Sequence, residues 1–352
     1  MPKTGFFELD ELEGHRDVLH EKLLVHPLNN IFPLEVHEGV GIDVDVEVHK
    51  TFAADPTDRG EPSPYAAPNE FRTIRAEPVQ LRNARPLSNK EIAFFRAQGE
   101  LRQVSGLTST QEAKRARNIQ DLMRRVLLPP EERAHVMKAE ALCGAVTLRI
   151  GGVEQTFSYG LNSVNDDADV GVLDWSDPGA TIVQDLYRIQ DAFEEAGNVR
   201  PDVAVFDKRM FGKYFVQNTE FVSFVKENPG LAKSFMGFHA ADGDLAAMKA
   251  PSQPFQMFDM TWIPISGTYV DTQGTTKRRW DVKKLSLLAL NAGDGQRVLE
   301  WATNRDEYNS EGTPSTRDWS ETDPISHKVE YSLNGVPMIY IRERAQTVTI
   351  EP

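Results

Sequence analysis

The stretch Val40-Gly41-Ile42-Asp43-Val44-Asp45-Val46-Glu47-Val48 (VGIDVDVEV, residues 40–48) decides how the chain is to be read. Val40, Ile42, Val44, Val46 and Val48 alternate with Gly41, Asp43, Asp45, Glu47 and then His49. Side chains of a strand point alternately to opposite faces, so this β-branched period of two predicts a strand with one apolar and one acidic face. Ala53–Glu70, AADPTDRGEPSPYAAPNE, is rich in Pro, Gly and Asp without periodicity and predicts a long tip. FRTIRAEPVQLRNARPL, 71–87, resumes a weaker extended pattern. Strand, tip and returning strand make an extended hairpin. A two-stranded ribbon alone is marginal in water. The valine face therefore needs cover, either from its own domain or from another copy of the chain.

Downstream, Ser109-Thr110-Gln111-Glu112 is a capping box that predicts a helix start. The helix runs through Ile119, Leu122, Met123 and Val126. Pro129-Pro130 is expected to interrupt and kink it, Glu131, Glu132 and Arg133 to restart it, and Gly144 to cap it beyond Cys143. Lys114, Arg115, Arg117, Arg124 and Arg125 give it a basic side, readable as a solvated face or as a stripe that meets acid on a neighbouring chain. AVTLRIGGVEQTFSYG predicts a hairpin turning at Gly151-Gly152. NDDADVGVLDWSDPG, 165–179, reads as a solvated connector. A helix is expected from Asp177-Pro178, with Ile182, Leu186, Ile189 and Phe193 as one stripe and Gly197 as its close. VAVFD is a short buried strand, with Asp207 placed to cap a helix carrying Met210, Phe211, Tyr214 and Phe215. Phe221, Phe224 and Val225 continue in helical spacing. WIPISGTYVDTQGTTKRRWDVKKLSLLAL reads as strand, polar hairpin, strand, and the last residues as strands joined at Asn334-Gly335. The order β arm, α, β, α, β, α, then β, with parts drawn from distant segments, predicts an α+β fold and not a doubly wound one.

A chain of 352 residues supports two or three cores, and 40% hydrophobic with 26% charged residues reads as globular and soluble. The formal net charge of −14 argues against general nucleic-acid binding, which needs cations to displace phosphate counterions. It does not argue against a place beside packed DNA, which an acidic wall would repel. No signal-peptide pattern or membrane-length apolar run is present. The single cysteine, Cys143, allows no internal disulfide and sits in the apolar EALCG, where an inert thiol is expected.

No catalytic, cofactor or metal residues are expected. The phosphate-cradling GxxxxGK[ST], GxGxxG and GxSxG are absent. His15, His20, His26, His37 and His49 crowd the N-terminal region, but no pair has zinc-enzyme spacing, and they read as an exposed arm with pH-sensitive contacts. As a calcium loop begun at Asn165, the aspartate run would place Val170 where Gly is required and Ser176 where Glu is required. A metal-dependent hydrolase using these histidines and the aspartates at 166–177 is the rival of another class.

Taken in order, VGIDVDVEV, FRTIRAEPVQLRNARPL, the helix ending KAEALCG, TFSYG with Trp175, VAVFDKRMFGKYF, SGTYVD at 266–271, LSLLAL, and TDP at 322–324 resemble the major capsid protein E family of tailed phages, the lambda-like head proteins. That resemblance implies the Hong Kong 97-type capsid fold: an N-terminal arm (1–35), an E-loop hairpin (36–86) reaching over an adjacent subunit, and a P-domain (87–177) with a long spine helix. It further implies an A-domain (178–300) and C-terminal strands (301–352) returning to the P-domain. The implied role is self-assembly into pentamers and hexamers of an icosahedral shell around double-stranded DNA, which the inner face meets without sequence specificity. Scaffolding, portal and decoration proteins are the implied partners, and no membrane is. The virion, and host cytoplasm during assembly, are the implied locations. An encapsulin-like nanocompartment shell is the alternative within the same fold. Contact candidates between subunits are Val40, Ile42, Val44, Val46, Val48, Phe71 and Ile74 on the hairpin, and Arg117, Arg124 and Arg125 on the helix.

Overall fold

The computed structural model describes residues 12–14, 16–19, 26–38, 42–48, 70–87, 109–150, 153–228, 253–271, 273–291, 295, 297–305, 314–322 and 325–352. The chain is mixed α and β and divides into two compact units, one of Met1–Ile42, Ala76–Val136 and Trp301–Val336, the other of Asp43–Arg75, Met137–Glu300 and Pro337–Pro352.

In the first unit, α1 (Pro27–Ile31) leads into β1 (Leu34–Glu38), and β4 (Val79–Leu87) comes later in the chain. β1 pairs in parallel with β13 (Leu299–Arg305), which lies beside β15 (Ile325–Ile339). Residues 327–332 of β15 have β14 (Ser315–Thr322) on one side and β4 on the other, both antiparallel. Helix α2 (Ser109–Leu142) buries Ile119, Leu122, Met123, Val126 and Leu127, the i, i+3, i+4, i+7, i+8 stripe expected of a helix with one core face. The N-terminal segment is not a wholly exposed arm: Leu12, Leu19, Leu28, Ile31 and Phe32 are buried, and the rings of His26 and His135 stack at 4.1 Å. Apolar residues at helical spacing among the histidines account for this burial.

Pro129 and Pro130 do not interrupt the helix, which is continuous through both. Each proline removes an N–H and orphans the carbonyl four residues before it, here those of Arg125 and Val126. The Nδ2 group of Asn83, on β4, donates to both, at 3.2 Å and 2.9 Å. Asn334-Gly335 is likewise no turn, since β15 runs straight through it. The indole of Trp301 lies over the Gly335 backbone, where an added Cβ would fall 2.2 Å from Nε1. Close approach, not chain reversal, explains that glycine.

The second unit is built on a five-stranded sheet ordered β16 (Ala345–Thr349), β12 (Lys284–Leu288), β7 (Val203–Asp207), β9 (Met260–Ile265) and β8 (Phe255–Met257). β7 and β9 are parallel and the other pairs antiparallel. Helix α3 (Ile182–Gly197) lays Ile182, Leu186, Ile189 and Phe193 into the core, as its sequence stripe predicts. It starts at Ile182 and not at Asp177, whose carboxylate accepts instead from the Gly179 N–H in a local turn. Asn198 takes the left-handed cap conformation (φ 52°), while Gly197 is needed because a Cβ there would meet the Glu343 carbonyl oxygen at 2.8 Å.

Asp207 caps the next segment by accepting from the Arg209 N–H. That segment is α-helical over Lys208–Met210 and π-helical over Phe211–Phe215, which sets Phe211 and Phe215 against Phe221 of α4 (Thr219–Glu227) and places Phe215 against Trp262. Three two-stranded ribbons complete the described residues: β2 (Ile42–Val48) with β3 (Glu70–Ala76), β5 (Ala145–Ile150) with β6 (Val153–Ser158), and β10 (Thr268–Val270) with β11 (Thr276–Arg278). The returning limb of the predicted hairpin is thus two strands, β3 in the ribbon and β4 in the first unit's sheet, separated at Glu77-Pro78. The long tip and the Gly151-Gly152 turn lie outside the described residues.

Candidate intersubunit surfaces

Among the described residues no group of three or more His, Cys, Asp or Glu side chains could hold a metal, and no helix is long and apolar enough to cross a membrane. Burial pushes the Cys143 thiol up to about 12, with Lys284 opposing, so almost no thiolate forms near neutral pH.

The surfaces are more telling. β2 and β3 pair as an isolated ribbon, as the alternation in VGIDVDVEV predicts. Val44, Val46 and Val48 fall on β2, Phe71 and Ile74 on β3; their side chains, and Val40 altogether, lie outside the described residues. Ile42 differs from the others in being described and buried, 1% exposed in the single chain. On α2, Arg117, Arg124 and Arg125 are all exposed, on the side away from the Ile119–Leu127 stripe.

The connector is firmer than its aspartates suggest. Asn165 donates to the carbonyls of Gly171 and Thr349, and its own oxygen accepts from the Thr349 N–H at 2.7 Å. The Trp175 N–H donates to the Ile350 carbonyl, and its indole, 1% exposed, donates to Asp185 at 3.0 Å. Val164, Val170, Leu173 and Trp175 belong to the second unit's core. Asp167, Asp174 and Asp177 each accept from a backbone N–H two residues on, which shapes the loop and leaves the carboxylates at the surface. The sequence therefore marked this stretch correctly as polar on the outside and missed the apolar residues that anchor it.

Two further features carry no motif. In the hairpin β10–β11, Asp271 fixes the tip. Its Oδ1 accepts from the N–H groups of Gln273 and Thr275, its Oδ2 meets Lys277 at 3.1 Å, and Gly274 takes φ 79°. The Thr275 N–H first, and Lys277 after it, hold the Asp271 carboxyl below its ordinary value. At the C-terminus, Glu351 is gripped by Lys213 and Tyr214, with Lys283 at 3.4 Å. Those bonds lower its carboxyl from 4.5 to about 2, Lys213 contributing most.

The family described as phage major capsid protein E matches residues 29–337 of the chain. The chain is similar to a prophage protein of E. coli CFT073 described as a capsid protein, with TM-score 0.59, 14% identity, and coverage of 98% of this chain and 99% of that one. It is also similar to a phage-related protein of Bordetella bronchiseptica RB50, with TM-score 0.49, 13% identity, and coverage of 97% and 96%. At such identities the likeness speaks to the fold alone, and the first of the two carries it. No curated protein sequence matches.

Proposed function

The chain belongs to the phage major capsid protein E family, and from that membership we propose that it is the head protein of a tailed phage, self-assembling into an icosahedral shell around double-stranded DNA. The family match over residues 29–337 is the observation that carries this reading. The role is structural, as the family's description as a capsid protein suggests.

In this reading the β2–β3 ribbon, with residues 36–86 around it, is the E-loop, and its valines Val44, Val46 and Val48, with Val40, Phe71 and Ile74, are covered by an adjacent subunit. Helix α2 is the spine of the P-domain, residues 178–300 form the A-domain, and the C-terminal strands return to the P-domain. Arg117, Arg124 and Arg125 meet acidic groups of a neighbour. Many modest contacts repeated over a closed shell give stability that no single contact supplies. Scaffolding, portal and decoration proteins are the further partners, the virion is the destination, and host cytoplasm is the place of assembly. The inner face meets the packaged DNA without sequence specificity, and the chain's net charge of −14 favours repelling the DNA over binding it.

Expression of the full chain, alone and with its phage's scaffolding protein, followed by electron microscopy and sedimentation, tests the reading. Closed particles are the expected result. A stable monomer under both conditions would overturn it.

A further inference from the structure

The chain has 53 acidic and 39 basic residues, so a cation presented to solvent on a stiff support stands out. The hairpin β10–β11 is such a support. Its register sets Thr268 opposite Arg278 and Val270 opposite Thr276, which puts these four residues on one face. All four are exposed, Val270 at 64%. Arg278 makes no hydrogen bond or ion pair among the described residues, whereas Lys277, on the opposite face, is tied to Asp271. The Asp271-centred tip keeps the ribbon ordered with one face unused, and a preordered surface loses little entropy when it docks.

The connector supplies a surface of opposite character. Val172 is 85% exposed and stands among Asp166, Asp167, Asp169, Asp174 and Asp177. None of the five carboxylates forms an ion pair among the described residues, so the segment carries five negative charges with no cation beside them in the single chain. Asn165 and Trp175 fasten this segment to β16 and Ile350. The hairpin instead leaves the sheet between β9 and β12. The two surfaces are therefore distinct parts of one chain.

We propose that they meet between copies: the Thr268/Val270/Thr276/Arg278 face of one subunit's hairpin docks on the aspartate-lined connector, around Val172, of the next. Each copy then offers its hairpin to one neighbour and its connector to another. That is a head-to-tail contact of the kind that closes into rings. The inference rests on the shell reading above and adds to it the pair of surfaces that joins neighbours. Phosphate of packaged DNA could also attract Arg278, but it has no use for Val270 or for the connector.

The test is charge exchange in the full-length chain. T276E/R278E reverses the hairpin face, and D166K/D169K puts two cations on the connector in place of two of its five carboxylates, the two that bind no backbone group of the loop. Far-UV circular dichroism and a melting curve verify folding of each variant. T276E/R278E is expected to lower particle yield about tenfold or more, from like-charge juxtaposition with the aspartates. D166K/D169K is expected to lower it by placing cations against Arg278, and the chain carrying both exchanges, where the new charges are opposite, is expected to recover part of the yield lost by T276E/R278E. Normal assembly of either single-surface variant, or failure of the combined chain to recover, overturns the inference while parent particles keep the shell reading intact. Absence of particles from the parent chain removes both. Loss of binding to a short DNA duplex in T276E/R278E with unchanged assembly overturns it in favour of phosphate contact.

Discussion

The side-chain amide of Asn83 donates to the backbone carbonyl of Val126 at 2.9 Å, standing in for the N–H that Pro130 lacks. The same amide serves the Arg125 carbonyl, orphaned by Pro129. Replacing Asn83 with Ala should therefore cost about 0.5–1.5 kcal/mol, the net worth of a partly exposed hydrogen bond. Urea unfolding measures it. With Pro129 and Pro130 both changed to Ala, new N–H groups reach those carbonyls, and Asn83→Ala should cost markedly less. An equal cost in both backgrounds would show that Asn83 acts by some other contact.

Gly335 lies under Trp301, where a Cβ would sit 2.2 Å from Nε1. Gly335→Ala should destabilise by about 1–3 kcal/mol, as overpacking does. Trp301→Leu in the same chain should relieve part of that cost. A neutral Gly335→Ala would mean the indole moves aside freely.

Glu351 titrates near 2 in the folded chain against an ordinary 4.5. A carboxyl whose folded value is depressed contributes stability above its unfolded value, and loses that contribution as pH falls through the folded one. The clamp should accordingly be at full strength above pH 4.5 and gone near pH 2. Glu351→Gln should lower the melting temperature at pH 7 and flatten its dependence between those limits. Glu351 is at the surface and its interactions are screened, so high salt should shrink the difference.

Cys143, raised to about 12 by burial, should react slowly with a thiolate-directed reagent at pH 8 and rapidly once the chain is unfolded in denaturant. Equal rates in the two states would contradict the burial.

Val44→Asp with Val46→Asp should leave a folded subunit and reduce or abolish particles, because the change puts charge where a neighbour's apolar surface is proposed. Deleting 55–68 should harm assembly or maturation more than solubility. Particles indistinguishable from the parent in both cases, by electron microscopy, would take the ribbon out of its proposed role.

Much of this protein was legible in one dimension. Period two gave β2, and the capping box with its 3.6-residue stripe gave α2. Ile182, Leu186, Ile189 and Phe193 gave α3, and Asp207 marked a cap. These are local signals, set by how a strand or a helix presents successive side chains to one core. What the sequence could not reveal depended on partners far along the chain. A double proline reads as a helix break until Asn83, more than forty residues earlier, completes its hydrogen bonds. Asn334-Gly335 reads as a turn until Trp301 is found lying on it. An aspartate run reads as a loose linker until Asn165 and Trp175 bind the C-terminal strand. Periodicity records which way a side chain faces; only the folded chain decides what it meets there, because the satisfaction of a buried carbonyl and the clearance over a backbone are properties of two segments at once.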